Sequence, residues 1–555
     1  MDKRQDRQVM GDMMSRGDFL KAGMVAGIGA LGLGALSGCE PDNSDPGSGS
    51  GGSSSGESVS WDKEVDVLVV GSGTAAYAAL VAKGNGATDV LVLEKTQLFG
   101  GTSATSGGTL WIPLAYSGQA AGMQDTREDA LAYMKACAAG RGNEKAMEAY
   151  IDNANPLLEW TRDEFGWEWG SGNPDAGFKD YYEPYRGYRS SGRQASFSGG
   201  GANEWATIRE KLEELGVEIM METSATELIT DEAGAVIGVV AREGSRSMNI
   251  KARTCVVLGT GGFDHNSEMI SAYQAIPVYV SNAAQGDTGD GHLMAQAIGA
   301  NLGNMDTNWG LPSFIAEPFD PGAAPVYSML WPDWGIYRAA AGNLIVNKRG
   351  RRFANESSAY AVFNRAFGNY DTGTLEYLNI PAVFICDSKY GTLPGQAAPG
   401  DSVPDFFITA NSLAEIAAHY GIDAEALEEE VAAFNENAAQ GIDPVFHRGE
   451  KKGDTCIGAY HPYGEALPNP VLAPVSTPPF YAALYVPGTC GTNGGLKTDE
   501  NSQVLNTKGE VIPRLYAVGN CSASITGGQY CGAGMTLGAG AVMSWIAVRH
   551  AMGIV

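Results

Sequence analysis

From Val65 to Lys95 the chain alternates apolar runs with glycine: VDVLVVGSGTAAYAALVAKGNGATDVLVLEK. The unbroken run VDVLVV predicts a strand buried on both faces. The stretch after the glycines predicts a helix, and DVLVLEK a second strand. A further strand run, ARTCVVLGTGG, spans Ala252 to Gly262 and again ends in glycines. The first sixty residues show neither period. Basic residues come first, and an apolar, glycine-rich run follows from Ala22 to Gly38. That run is short and weakly hydrophobic for a membrane span, and it suits a cleaved export signal. Pro41 to Ser60 is rich in Gly and Ser and predicts a flexible tether, reaching roughly 25 Å on average.

The turn between the first strand and helix is Gly71-x-Gly73-x-x-Ala76. Gly71 permits a sharp turn, Gly73 lets backbone approach a pyrophosphate, and the small Ala76 lets helix and strand pack closely. With Thr74 and Ala75, this places the positive end of a helix against phosphates. Glu94 ends the second strand, where an acid binds a ribose hydroxyl, and Lys95 follows it. The pattern predicts a bound dinucleotide.

Composition narrows the field. The 555 residues, 44% hydrophobic, suffice for two or three domains. A formal charge of -27 argues against nucleic acid as partner and disfavours a small dianion as substrate. The eight Cys are scattered without a CxxC, and there are only six His. No metal site, haem attachment or iron–sulfur motif is encoded.

FGGTSATSGG (Phe99 to Gly108) directly follows the second strand. It resembles the loop that flavoproteins of the fumarate-reductase and ketosteroid-dehydrogenase superfamily place against FAD. ARTCVVLGTGG resembles their return to the nucleotide, and PRLYAVGNCSAS (Pro513 to Ser524) the segment where the chain comes back to the flavin. The resemblance implies non-covalent FAD, held by the turn and Glu94–Lys95 together with Gly100, Gly101, Thr102, Ser103, Ser106, Gly107, Gly108, Gly261, Gly519, Asn520, Thr536 and Leu537. It implies an α/β fold: a discontinuous Rossmann-like FAD-binding domain over 61–315 and 488–555, with an inserted α+β substrate domain over 316–487.

The fumarate-reductase branch anchors a dicarboxylate through a histidine and an Asn-Arg pair in its C-terminal loop. Here that loop is GGQYCGAGMTLGAGA (Gly527 to Ala541), without a basic residue. It resembles instead the Tyr-x-Gly-x-Gly loop of the 3-ketosteroid Δ1-dehydrogenase family, with Cys531 and Ala533 where that family usually has prolines. FKDYY (Phe178 to Tyr182), NESSAYAVF (Asn355 to Phe363), FHRGE (Phe446 to Glu450) and GTNGGLKTDENSQVL (Gly491 to Leu505) extend the resemblance over roughly 63–550. It implies that Tyr530 and the Gly534 N–H hold a ketone oxygen. Tyr360 takes the proton from carbon 2 with Tyr181 as relay, and FAD accepts the hydride from carbon 1 of a 3-ketosteroid. A phenol ordinarily titrates near 10, so Tyr360 is expected to be tuned downward by something local.

The same residues could run in reverse as a Δ1-steroid or other enone reductase. A fumarate-type carboxylate reductase and a non-catalytic flavin- or steroid-binding lipoprotein also stay open. Arg351 and Arg352 suit a hairpin and its ion pairs better than an anion site, and Cys531 suits a space-filling role. At the N-terminus LSGC (Leu36 to Cys39) resembles a bacterial lipobox, with Cys39 as the lipidated residue. SRGDFLK (Ser15 to Lys21) resembles a twin-arginine export motif with Gly17 in place of the second arginine. The expected location is the outer face of the cytoplasmic membrane, with a quinone or a cytochrome as electron partner.

Overall fold

The computed structural model describes residues 59–171, 179–190, 193–321, 331–394, 402–455 and 467–554. The expected signal, Cys39 and the tether as far as Ser58 lie outside the described residues, as does Phe178. The elements that position the site are β1 (Lys63–Val70), α1 (Ala76–Gly84), β2 (Val90–Leu93), α2 (Gly200–Glu214) and β3 (Arg246–Leu258). They are followed by α3 (Tyr360–Asn364), β4 (Phe480–Val486), β5 (Val511–Ala517) and α4 (Met535–Ala551).

β1 lies at the centre of an eight-stranded sheet. It pairs in parallel with β2 (Val67 with Val90, Val70 with Leu93) and with β3 (Val67 with Cys255, Val70 with Leu258). β5 adds in parallel to β3, Leu515 opposite Val256, so the end of the chain completes the sheet begun at residue 63. The two faces of β1 feed different cores. Val67 and Val69 pack with α1 and α4, while Val65, Leu68 and Val70 pack with the strands Thr223–Thr230 and Val236–Glu243. Alternate side chains of a strand point to opposite faces. With both faces covered, the sequence reads as a continuous apolar run.

A second, six-stranded sheet contains β4 at its middle, paired antiparallel with Ala382–Asp387, Ser313–Ile315 and Ile408–Ala410. It therefore takes in Ser313–Ile315, just before residue 316, and its core centres on Phe314, Phe384 and Tyr485. Helices Leu413–Tyr420 and Ala424–Ala438 contribute to that core. Antiparallel strands with helices to one side make this an α+β unit. The site lies where the units meet: on α3, Tyr360 joins the core of the first sheet and Phe363 that of the second.

Candidate active site

The glycine turn is shaped by close approach. Gly71 has φ +102°, and a Cβ there would stand 2.2 Å from the Gly259 carbonyl oxygen at the end of β3. A Cβ on Gly259 would in turn stand 2.2 Å from that of Ala75, so the tight helix–strand contact falls one residue before Ala76. At Gly73 a Cβ would meet nothing nearer than Ser103 Oγ at 3.4 Å, and at Gly101 and Gly107 nothing within 4 Å. These backbone faces are open. The N–H groups of Gly73, Thr74 and Ala75 have no acceptor among the described residues, and α1 has no side-chain cap. Free N–H groups at a helix start, beside glycines that leave room, form a phosphate cradle.

The acid behind the turn is held by the protein's own donors. Glu94 Oε2 accepts from Ser72 N (3.2 Å) and Ser72 Oγ (2.6 Å), and Oε1 from Thr96 N and Thr96 Oγ1 (both 2.8 Å). These four donors occupy a carboxylate's usual acceptor capacity. Gly100 N also donates to Ser72 Oγ at 2.7 Å, so Glu94 and Ser72 tie the turn to the loop at 99–108. Lys95 pairs with Asp290 at 2.7 Å and donates to Thr288. Thr102 Oγ1 donates to Asp287 Oδ2 at 2.9 Å, and Gly261 is tight against the same carboxylate. Ser103 backs Gly73, and Gly108 N donates to Ser106 Oγ at 3.1 Å. Trp205 of α2 donates its indole N–H to the carbonyls of Ser72 and Gly73 (both 3.1 Å), a brace outside the glycine motif. Only its place on a helix 133 residues after Ser72 reveals it.

At the C-terminal side, a small open pocket is lined by Gly519, Asn520, Thr536, Trp309, Asn493, Ser522, Ser524, Ile525, Ala539 and Met543. The N–H groups of Thr536 and Leu537, in the first turn of the 17-residue α4, have no acceptor among the described residues. These donors suit the carbonyl edge of a flavin, and the cradle at 71–76 suits its pyrophosphate. The residues present fit FAD.

Three tyrosines from three distant segments converge beside this cavity. Ring centroids are 5.6 Å apart for Tyr181–Tyr360, 5.5 Å for Tyr181–Tyr530 and 5.6 Å for Tyr360–Tyr530. The interplanar angles are 74°, 76° and 77°, so each ring presents an edge to a neighbour's face. Trp309 packs on Tyr530 at 4.9 Å and donates to Asn520 Oδ1 at 2.9 Å, while Trp334 packs on Tyr360 at 5.2 Å.

Each tyrosine is held by its own support. Tyr360 opens α3 just after the NES stretch, whose Glu356 is fully buried between Arg352 (2.6 Å) and Arg448 (3.4 Å). Arg448 of the FHRGE stretch also donates to the carbonyls of Ala340 (2.7 Å) and Asn343 (2.9 Å). The two motifs thus meet as one buried scaffold under Tyr360. Arg352 pairs with Asp443 as well, at 2.8 Å, and Arg351 with Glu429, so both arginines serve ion pairs. Tyr181 N donates to the Cys531 carbonyl at 2.9 Å, and Asp180 bridges to Gly532. Trp111 N donates to the Gly534 carbonyl at 3.0 Å. Gly534 has φ +88°, and a Cβ there would stand 2.5 Å from the Thr109 carbonyl oxygen, so only glycine fits.

Electrostatics depart from the expectation for Tyr360. Burial, then the neighbouring Tyr181 and Tyr530 phenols, raise it well above the usual phenol value. The leading influences on it among the described residues all act in the raising direction. Tyr530 is also raised, by burial first and Cys490 second, while hydrogen bonding to Tyr360, Thr536 and the Gly534 N–H pulls the other way. The Gly534 N–H therefore faces the Tyr530 hydroxyl, which sets that amide and that phenol side by side. Burial also pushes Asp180 up to about 6, against Arg193 and the Trp111 indole. Arg365, five residues beyond Tyr360, donates to the Gly528 carbonyl at 2.9 Å. It supplies a cation to the loop that the loop's own sequence lacks.

Comparison with known proteins agrees with this geometry. Residues 66–537 match the FAD binding domain family. The 4-oxocyclohexanecarboxylate 2-dehydrogenase of Sinomonas cyclohexanicum is 33% identical over 548 residues, covering 88% of this chain and 93% of the relative. The 3-oxosteroid 1-dehydrogenase of Mycobacterium tuberculosis is 31% identical over 576 residues, covering 88% and 98%. The crystal structure of 3-ketosteroid Δ1-dehydrogenase from Sterolibacterium denitrificans, in complex with 1,4-androstadiene-3,17-dione, matches with a TM-score of 0.79. It is 29% identical, with 88% of this chain and 100% of that chain covered. The chain belongs to the FAD binding domain family and is an FAD-dependent oxidoreductase of the ketosteroid dehydrogenase type.

Proposed function

We propose that the protein removes hydrogen from carbons 1 and 2 of a 3-ketosteroid. The observation that carries this is the convergence of Tyr530 and the Gly534 amide beside Tyr360 and Tyr181. Tyr530 and Gly534 donate to the ketone oxygen, where charge grows as the neighbouring carbon loses its proton. Tyr360, reacting as the tyrosinate, accepts that proton at its phenolate oxygen, and Tyr181 passes it on. Trp309, Trp334 and the tyrosine rings exclude water and suit an apolar ring system. FAD, when bound, supplies the hydride acceptor.

The test is anaerobic: FAD-loaded protein is mixed with a Δ4-3-ketosteroid saturated between carbons 1 and 2. Loss of oxidised-flavin absorbance with formation of a 1,4-dien-3-one supports the proposal. Reoxidation of the reduced enzyme by a 1,4-dienone, with no forward reaction, assigns the reductive direction. Silence in both directions removes the ring-A steroid.

A second reading is a carboxylated monocyclic ketone undergoing the same α,β-dehydrogenation. The name of the Sinomonas relative and the position of Arg365 near the Tyr530 loop favour it. On either reading, we propose that the chain is exported and anchored through lipid on Cys39, exchanging electrons with a membrane quinone or a cytochrome. LSGC and the following tether support this, and mass spectrometry of the mature N-terminus tests it. Among the described residues no helix is long and apolar enough to cross a membrane.

A further inference from the structure

Behind the three tyrosines lies a buried charge cluster that the proposed chemistry does not use. Asp180 is 1% exposed and Arg193 3%. Asp180 Oδ1 accepts from Trp111 Nε1 at 2.9 Å, and Oδ2 from Arg193 Nη1 and from Arg189 N, both at 3.0 Å. Arg193 grips Asp125 with two further bonds of 2.7 Å, donates to the Gly187 carbonyl, and stacks over the Trp111 and Tyr133 rings. Replacing a buried ion pair by apolar packing is often neutral or stabilising, so its presence here asks for a geometric explanation.

The connections supply one. Asp180 is joined by one peptide bond to Tyr181, whose N–H donates to the Cys531 carbonyl. The same carbonyl accepts the Tyr133 hydroxyl at 2.7 Å, and Tyr182 N donates to Tyr133 Oη at 3.1 Å. Trp111, held by Asp180 through its indole, holds Gly534 through its backbone N–H. One carboxylate therefore fixes both the segment carrying Tyr181 and the strand on which the Gly534 turn rests.

We propose that Asp180, clamped between Arg193 and Trp111, is a positioning residue that sets the register of Tyr181 against Tyr360 and the Tyr530–Gly534 donor pair. This rests on Tyr181 acting as relay in the reaction proposed above. Arg193 fixes the carboxylate, and the carboxylate fixes the two segments.

The test uses the full FAD-loaded protein and a double-mutant cycle between Asp180→Asn and Tyr181→Phe. Flavin bleaching by the ketosteroid is read as maximal rate and half-saturation separately. Asp180→Asn is expected to slow bleaching about 10- to 100-fold with half-saturation within about threefold. Because Asp180 acts chiefly through Tyr181 and in part through the Gly534 turn, the double variant is expected to be slower than Tyr181→Phe by clearly less than the factor that Asp180→Asn costs alone. A double variant slowed by the product of the single effects, or an Asp180→Asn variant at full rate, overturns the proposal. If Asp180→Asn does not fold, Arg193→Lys replaces it in the cycle. It keeps the charge facing Asp180 but loses the fork to Asp125, so about a 3- to 10-fold, equally non-additive loss is expected. A full rate or a multiplicative loss again overturns the proposal.

A second readout needs no turnover: the affinity of a para-substituted phenol, a mimic of the ring-A enolate, measured by calorimetry. It should weaken in Asp180→Asn, since the Gly534 turn loses its support. Unchanged phenol affinity also counts against the clamp. Wild-type protein that bleaches with no ketone refutes the relay role itself, a result distinct from these.

Discussion

Tyr77 of α1 donates its hydroxyl to Glu204 Oε1 of α2 at 2.7 Å, and both residues are completely buried. Glu204 Oε2 has no partner among the described residues. Burial pushes the Glu204 carboxyl from its ordinary 4.5 up to about 8, although the Tyr77 hydrogen bond pulls it down. Between pH 4.5 and 8 the folded protein keeps a proton that the unfolded chain has released. Stability at this site therefore falls as pH rises through that window, by an amount on the order of a few kcal/mol. Glu204→Gln removes the dependence. Its melting temperature should gain on the wild type's steadily from pH 5 to pH 8.5, and a parallel pair of curves contradicts the assignment.

Tyr360 gives a second pH prediction, with a different readout. Its phenol is raised above the usual value, so the basic form grows about tenfold per pH unit throughout the accessible range. The anaerobic bleaching rate should climb from pH 6 to pH 10. Tyr360→Phe should lower it about 10²- to 10⁴-fold with little change in half-saturation. A flat profile in stopped-flow measurements excludes a phenol base.

Two glycines separate backbone strain from close approach. Gly534 and Gly509 both have positive φ, +88° and +82°, but a Cβ at Gly509 meets nothing within 4 Å. Gly509→Ala should cost about 1 kcal/mol and leave activity intact. Gly534→Ala must also move the Thr109 carbonyl, and should cost more than about 2 kcal/mol. Thermal unfolding compares the two, and loss of the enolate-mimic affinity should follow Gly534→Ala alone.

Arg365 offers a specificity test. It forms no ion pair among the described residues, although its guanidinium has donors to spare beyond the bond to Gly528. Arg365→Gln should raise the half-saturation for a carboxylated cyclohexanone about tenfold or more, and that for a neutral ketosteroid less than about threefold. Equal effects on both assign Arg365 to supporting the loop.

Much of the nucleotide fold is legible in the sequence because it is local. Gly71, Gly73 and Ala76 lie within six residues, and parallel strands leave unbroken apolar runs. The tyrosines are legible only through resemblance: Tyr181 and Tyr530 are 349 residues apart, and no periodicity links them. Supports outside the quoted motifs are not legible at all. Trp205, Trp111 and Arg193 look like ordinary core or surface residues until the chain brings them to the Gly73 carbonyl, the Gly534 turn and Asp180. Glu94's place after β2 predicts a ribose contact, and the structure adds that the neighbouring Ser72 and Thr96 hold its carboxylate from within the protein. The expected lowering of Tyr360 is not met in the protein alone, because burial and the neighbouring phenols act in the same, raising direction.

The parallel pairing of β5 with β3 has a consequence for the timing of synthesis. The eight-stranded sheet, the Asn520–Thr536 cavity wall and the Tyr530–Gly534 loop all await residues beyond 510. A ribosome-bound chain that has made both the glycine turn and the whole second sheet still has half a flavin pocket. Stable cofactor loading is then expected only once β5 and α4 have been made, and a chain ending before β5 should emerge without the yellow colour of the complete protein.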